Sequence, residues 1–345
     1  MTVLVTGGCG FVGINLAEAL LGAGERVVLF DRIALPVPAS QALGRHGARL
    51  SVVTSDVLDA KGLQTVVADC NVERIVHAAV ITADAAREAR EPSKIVDVNV
   101  GGTINVLSAA RAASCKRIIY VGSAQAYGAT HEAGERLEEE TSPSRPTDVY
   151  GISKFCAERI ALRLGALWKL DVVCVRLGTV CGPWEFDTGV RDMLSPYLHT
   201  AQLAVRGEVA ILPRKEYWRD WVYSRDVAAG LHVLLRASAL RNNVYHLSSG
   251  MSWYGSFDQW CNVLRAAYPR FSWRTAVIDE PPNVSFVVER DRSPMNVARI
   301  ASDAGFVPRF GPQEAYPDYL GWIRAHEEFV RGSRQTSAPE RGSGA

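Results

Sequence analysis

A short β-branched run, Thr2 to Val5, passes almost directly into Gly7-Gly8-Cys9-Gly10-Phe11-Val12-Gly13, and the residues that follow carry apolar side chains at helical spacing. Glycines let the backbone turn tightly out of a strand and approach a bound group closely. The helix behind them offers free N–H groups and the positive end of its dipole. A pyrophosphate fits such a turn, so Gly7, Gly10, Phe11, Val12 and Gly13 are candidate cofactor contacts. Asp31 ends the second predicted strand about twenty residues on, where a carboxylate accepts hydrogen bonds from an adenosine ribose. Its charge repels a 2′-phosphate, so NAD is the expected cofactor, with Arg32 next door the one feature that softens the preference. The plain alternative for Asp31 is a strand-end turn residue. For Cys9, a helix N-terminus lowers a thiol pKa and makes a redox role conceivable, while a crowded turn simply favours a small side chain.

Up to about Val180 the chain alternates β-branched runs with helical stretches, which predicts a parallel sheet covered on both faces. Strands are expected at Thr2 to Val5, Arg26 to Phe30, Leu50 to Thr54, Arg74 to Ala78, Arg117 to Val121 and Val172 to Leu177. Helices are expected from Phe11 to Ala23, with Val12, Leu16, Ala19 and Ala23 on one face and Gly24 as the stop, from Pro92 to Ala113, and from about Tyr150 to Lys169. The fold class is therefore α/β, a Rossmann-type doubly wound parallel sheet over residues 1–180 with a smaller C-terminal substrate-binding portion, mainly 181–330. Val222 to Tyr223, Asp226 to Arg236 and Tyr245 to Leu247 look like segments returning to the sheet. The polar stretch 333–345 reads as a disordered tail.

With 48% hydrophobic residues the 345-residue chain can bury a sizeable core, and its net charge of +1 makes no case for a nucleic-acid or membrane partner. The start lacks the pattern of a signal peptide and no apolar run is long enough to span a bilayer, so a cytoplasmic location is expected. Seven cysteines without C-x-x-C pairs fit scattered reduced thiols, and no metal is expected. HEAGE at 131–135 departs from the H-E-x-x-H zinc pattern, and ERLEEET at 135–141 reads as a solvated acidic loop.

Tyr150 and Lys154 stand four apart at a predicted helix start and share a face. A nearby ammonium lowers a phenol pKa, so Tyr150 can act as general base, with Lys154 also holding nicotinamide ribose hydroxyls. Ser123, just past a strand, is placed to hold a substrate hydroxyl for proton abstraction and hydride transfer. A surface tyrosine beside a solvated lysine is the ordinary alternative. It is disfavoured because all three residues follow the dinucleotide turn in the order this chemistry requires.

These motifs resemble the extended short-chain dehydrogenase/reductase family and its nucleotide-sugar epimerases and dehydratases over roughly Thr2 to Trp322. The matching stretches are TGGCGFVG at 6–13, Asp31, Asp56-Val57, HAA at 77–79, NVGGTINVL at 99–107, GSAQAYG at 122–128 and PTDVYGISK at 146–154. The resemblance implies that Asp56 and Val57 flank an adenine, that Ala78 and Ala79 line the pyrophosphate cleft, and that Asn99 supports the active-site backbone. It also implies a homodimer through the helices beginning at Pro92 and Tyr150. His77 reads equally well as a buried strand-end histidine.

The family's dehydratases carry an Asp-Glu pair after the catalytic hydroxyl. Here Ala124-Gln125-Ala126 follows Ser123, so an epimerase or simple dehydrogenase is expected. RDWVY at 219–223 resembles the stretch whose arginine binds diphosphate, and Arg292 a second phosphate-binding arginine; the plain reading of each is a surface arginine paired with a neighbouring aspartate. Thr179 stands where these enzymes usually have an asparagine contacting the diphosphate. Trp184 and the aromatics of EYWRDWVY could stack on a base or sugar, or pack in the core. The leading expectation is an NAD-dependent sugar epimerase or oxidoreductase, with a nucleotide-linked or phosphorylated sugar favoured. A dehydrogenase of a free sugar, sugar acid or other hydroxy compound is the alternative, and a non-catalytic NAD-binding regulator a third.

Overall fold

The computed structural model describes residues 1–128, 135–286 and 291–332, so the first four residues of HEAGE, 131–134, and the tail at 333–345 lie outside the described residues. Strands β1 (Thr2–Thr6), β2 (Arg26–Asp31), β3 (Leu50–Thr54), β4 (Arg74–His77), β5 (Arg117–Ser123) and β6 (Val172–Leu177) are joined by helices α1 (Phe11–Gly22), α2 (Val37–Gly44), α3 (Ala60–Asp69), α4 (Ala85–Arg90), α5 (Pro92–Val96), α6 (Gly102–Ala112) and α7 (Val149–Trp168). Beyond them come β7 (Thr179–Cys181), α8 (Pro196–Arg206), β8 (Val209–Leu212), β9 (Trp221–Tyr223), α9 (Ser224–Arg236) and β10 (Val244–Leu247). The chain continues through α10 (Phe257–Ala267), β11 (Ser272–Thr275), α11 (Ala298–Ala304), α12 (Pro312–Ala325) and α13 (Glu327–Arg331).

The main sheet has seven strands in the order β10-β6-β5-β4-β1-β2-β3, all pairs parallel. Side chains alternate across a strand, and the core divides accordingly. Val3, Val5, Val27 and Leu29 join one apolar cluster with α1, while Leu4, Val28 and Phe30 join another beneath α3 and α6. The strand order reverses between β1 and β4. A crevice opens there at the carboxyl ends of the strands, the place where such sheets bind ligands.

Four sequence expectations are corrected. The buried stripe of α1 is Phe11, Ile14, Leu16, Ala17, Leu20 and Leu21; Ala23 lies beyond the helix and is exposed, with Gly24 after it at φ +84°. A wide face is covered because α1 is wedged between the sheet and α9. The helix from Pro92 to Ala112 is interrupted by a π-helical turn at Asp97–Gly101, an irregularity that periodicity does not reveal. Val222 and Tyr223 do not rejoin the main sheet: β9 pairs with β7 in a separate ladder, whereas β10 does return beside β6. The acidic stretch 135–141 is not simply solvated. Leu137 is buried and exchanges backbone hydrogen bonds with Pro294 and Asn296, and the Glu139 carboxylate is buried, accepting the His246 N–H at 3.1 Å.

Candidate active site

The crevice beside β1 is walled by the glycine turn. A Cβ on Gly7, whose φ is +67°, would meet Ala79 N at 2.7 Å, and one on Gly13 would meet Gly7 O at 2.4 Å. The turn is thus closed to side chains and its backbone forms the cradle. Gly7, Gly10, Phe11, Val12, Gly13, Asp31, Arg32, Asp56, Val57, Ala78 and Ala79 all line this one cleft. Asp31 is fixed at its end, Oδ2 accepting from Cys9 N at 3.0 Å and Oδ1 from Ile33 N at 3.2 Å, although burial raises its pKa. One expectation changes here. Burial pushes the Cys9 thiol up to about 12, with Asp31 adding to the effect, so the helix end does not make it reactive. Asn99 lies behind the cleft wall, where its Oδ1 accepts from Ile81 N at 2.9 Å and its Nδ2 donates to Ile81 O and to Ser153 Oγ.

A second cavity continues from the first and collects Ser123, Tyr150, Lys154, Thr179, Arg191, Arg219 and Arg292. Ser123 ends β5. Tyr150 and Lys154 project from the first turns of α7, whose N-terminus is capped by Asp148 Oδ1 accepting from Gly151 N at 2.6 Å. The Tyr150 N–H, also left over at the helix start, donates to Glu88 Oε1 at 3.1 Å. Burial raises the Tyr150 pKa, against hydrogen bonds with the Ser123 and Thr82 hydroxyls and the charge of Arg191. Lys154 differs from the expectation: its Nζ donates to Val121 O at 2.5 Å and lies 4.4 Å from the Tyr120 ring centroid, and burial lowers its pKa to about 7. The shared helix face puts the two side chains in one cavity, but the lysine is aimed at the sheet.

On the opposite wall Arg219 and Arg292 are almost fully buried, at 4% and 6% exposure, which overturns the surface-arginine reading. Their segments are tied by Arg292 N donating to Trp218 O at 2.9 Å. Arg292 donates to Thr179 Oγ1 at 2.9 Å and to Gln125 Oε1 at 3.3 Å, so the threonine found in place of an asparagine positions an arginine. Asp220 is buried beside them. Burial raises its pKa to about 6, while Ser248, Met295 N–H and Arg292 pull it down. Trp184 and Trp221 are core residues, and Trp218 is half exposed, stacked on Tyr254. His77 is buried between the Thr6 and Thr103 hydroxyls, with its pKa lowered to about 3 by burial, as suits a neutral structural histidine. The sequence reading missed Thr82, Glu88 and Arg191. None belongs to a glycine turn, a helical spacing or another signal readable along the chain.

A doubly wound sheet with a glycine turn, a carboxylate at the end of its second strand and a cavity holding serine, tyrosine and lysine defines a dinucleotide-dependent enzyme of the extended short-chain dehydrogenase type. The model of the NAD dependent epimerase/dehydratase family matches residues 3–248, and the chain belongs to that family; its cofactor is NAD. UDP-glucose 4-epimerase 2 of Oryza sativa subsp. japonica is 29% identical over 273 residues, covering 72% of this chain and 65% of its own length. Thus the chain spans about two thirds of that relative. Sterol demethylase protein B of Methylococcus capsulatus is 27% identical over 346 residues, covering 94% of this chain and 98% of its own. Among solved structures, the Thermotoga maritima UDP-glucose 4-epimerase with UDP-glucose superposes with a TM-score of 0.77 at 21% identity, over 95% of this chain and all of that one. Among the described residues no helix is long and apolar enough to cross a membrane.

The cleft carries a prediction about cofactor choice. NAD should bind more tightly than NADP by calorimetry, and Asp31→Ala should narrow the difference, since it removes the charge that repels a 2′-phosphate. Equal affinities in the unmodified protein would contradict the role given to Asp31.

Proposed function

We propose that this enzyme oxidises a secondary alcohol of an anionic sugar, nucleotide-linked or phosphorylated, and returns the hydride to the opposite face, an epimerase-type reaction. The observation that carries the proposal is the position of Arg219 and Arg292, two buried guanidinium groups walling the same cavity as Ser123, Tyr150 and Lys154. Buried arginines hold a phosphate by charge-assisted hydrogen bonds that a neutral sugar cannot match. NAD, when bound, accepts and returns the hydride. Ser123 Oγ orients the substrate hydroxyl, Tyr150 Oη takes and later returns its proton, and Lys154 with Asp31 holds the two riboses. Asp56 and Val57 would flank the adenine, and Gly7, Gly10, Gly13, Ala78 and Ala79 would hold the pyrophosphate. Ala124 and Gln125 after Ser123 supply no acid-base pair for eliminating water. Val96, Ile104 and Ile152, exposed on α5, α6 and α7, suit the homodimer the resemblance implies.

Thermal shift with NAD already bound tests the substrate class, because a ligand that binds only the native state stabilises it. At least one of the uridine, thymidine, guanosine, cytidine and adenosine diphosphates should raise the melting temperature. Arg219→Ala should remove most of that rise while leaving NAD affinity unchanged. No rise with any of them at millimolar concentration would favour the second reading, an NAD-dependent dehydrogenase of a hydroxy compound that carries no nucleotide. Two observations speak for that reading: the full-length relative is named for sterol demethylation, and Thr179 is engaged by Arg292. Accumulation of reduced nicotinamide with a sugar acid or a sterol alcohol would identify it.

A further inference from the structure

Gln125 lies in the short helical turn Ala124–Tyr127 that follows Ser123, and it lines the cavity with three parts of the site within its reach. Its backbone N–H donates to Ser123 Oγ at 3.1 Å. Its side-chain Nε2 donates to Asp148 Oδ2 at 2.5 Å, and the other oxygen of that carboxylate accepts the N–H of Gly151, the residue after Tyr150. Its Oε1 accepts from Arg292 Nη1 at 3.3 Å. The turn is packed directly on the start of α7, since a Cβ on Gly151 would meet Gln125 O at 2.9 Å and Gln125 Cγ at 3.1 Å. The orientation of the amide follows from its partners: a guanidinium only donates and a carboxylate only accepts. An ionised carboxylate in its place could serve Arg292 alone, because it would meet Asp148 with like charge and no proton to share.

We infer that Gln125 is a positioning residue: it ties Arg292 to the helix start that carries Tyr150, and does so through a neutral oxygen that leaves the charge of the arginine for the anionic group of the substrate. The inference rests on the reading of the cavity as a site for an anionic sugar. An arginine side chain loses much rotamer freedom when it is held, so acceptors that fix it before a ligand arrives lower the cost of binding. Two of the acceptors that hold Arg292, Thr179 Oγ1 at 2.9 Å and Gln125 Oε1, carry no charge. The buried carboxylate of Asp220 already accepts from the Ser248 and Ser249 hydroxyls and from Met295 N–H. A carboxylate at position 125 would pair with the guanidinium by a charge-assisted bond roughly twice as strong as one to an amide, and a phosphate would have to compete with it. The run of bonds from Arg292 through Gln125 and Asp148 to Gly151 thus sets the group that grips the anion in register with the reacting hydroxyls, and Gln125 is its middle link.

Calorimetry on the NAD-saturated protein tests this, with uridine, thymidine, guanosine, cytidine and adenosine diphosphates as probes. For the tightest binder among them, Gln125→Met should weaken binding about threefold and Gln125→Glu about tenfold or more, with NAD affinity held within about twofold in both. A side chain that only filled space would give the opposite order, because glutamate keeps the contact with Arg292 that methionine loses. The double variant Gln125→Glu, Asp148→Asn exchanges donor and acceptor across the bond between the two positions. It should recover the melting temperature lost in Gln125→Glu and still bind the diphosphate weakly, since the new carboxylate faces Arg292 as before. Recovery of binding together with the melting temperature, or weaker binding in Gln125→Met than in Gln125→Glu, would overturn the inference. Should Gln125→Glu fail to fold, the double variant decides, and diphosphate affinity within about twofold of the unmodified protein would count against the role of Gln125. If the unmodified protein binds none of the diphosphates, or Arg219→Ala binds them as well as it does, the reading of an anionic substrate fails and the role of Gln125 falls with it.

Discussion

Exchange of Tyr150 for phenylalanine should lower turnover by about two to four orders of magnitude and leave NAD affinity within about twofold, the range expected when a positioned acid-base group is removed. The variant loses one oxygen. That oxygen is hydrogen-bonded by the Ser123 and Thr82 hydroxyls and sits in the cavity, whereas the cleft proposed for the dinucleotide is lined by the glycine turn after β1, by Asp31 at the end of β2 and by the residues that follow β3 and β4. The phenylalanine ring still fills the space at the start of α7, and its N–H still reaches Glu88. Rates on an identified substrate, set against calorimetric binding of NAD, separate the two properties. Near-full turnover in the variant would refute Tyr150 as the base.

The second large effect is on stability and lies behind the site. Glu158 on α7 and Arg176 on β6 form a bidentate pair, Nε to Oε2 at 2.8 Å and Nη2 to Oε1 at 2.6 Å, with side chains only 1% and 4% exposed. Burial alone would lower the arginine pKa, yet Glu158 holds it above its ordinary value. Glu158→Ala leaves the guanidinium against the Tyr127 ring and the Glu139 carbonyl without a counter-charge. That should cost about 3–5 kcal/mol in denaturant unfolding. The double variant Glu158→Leu, Arg176→Met should recover most of the loss, because an apolar pair carries no desolvation penalty. A loss below about 1 kcal/mol in the single variant would mean that the site relaxes enough to hydrate the arginine.

Much of this molecule is legible along the chain. Leu50–Thr54 and Val172–Leu177 are strands at the residues expected, and the glycine turn, Asp31, Asp56-Val57 and Ala78-Ala79 converge on one cleft. The reason is that a strand, a tight turn and a helix start are each specified by residues within a few positions of one another, and the parallel connections leave little choice in how such units pack. Tyr150 and Lys154 meet in one cavity for a similarly local reason, a spacing of four on a helix.

Local spacing determined which units form and which residues they offer to the crevice; the tertiary structure decided where the charges point. Lys154 is drawn to the Val121 carbonyl, Arg191 arrives on a strap latched by Arg87 and Asp192 more than a hundred residues apart, and Thr179 engages Arg292. Glu139, in a stretch whose composition reads as solvent-exposed, is buried under a strand that joins the sheet late in the chain. The physical cause is common to all of them: the energy of a charge depends on the dielectric and partners around it, and both are set by segments distant in sequence.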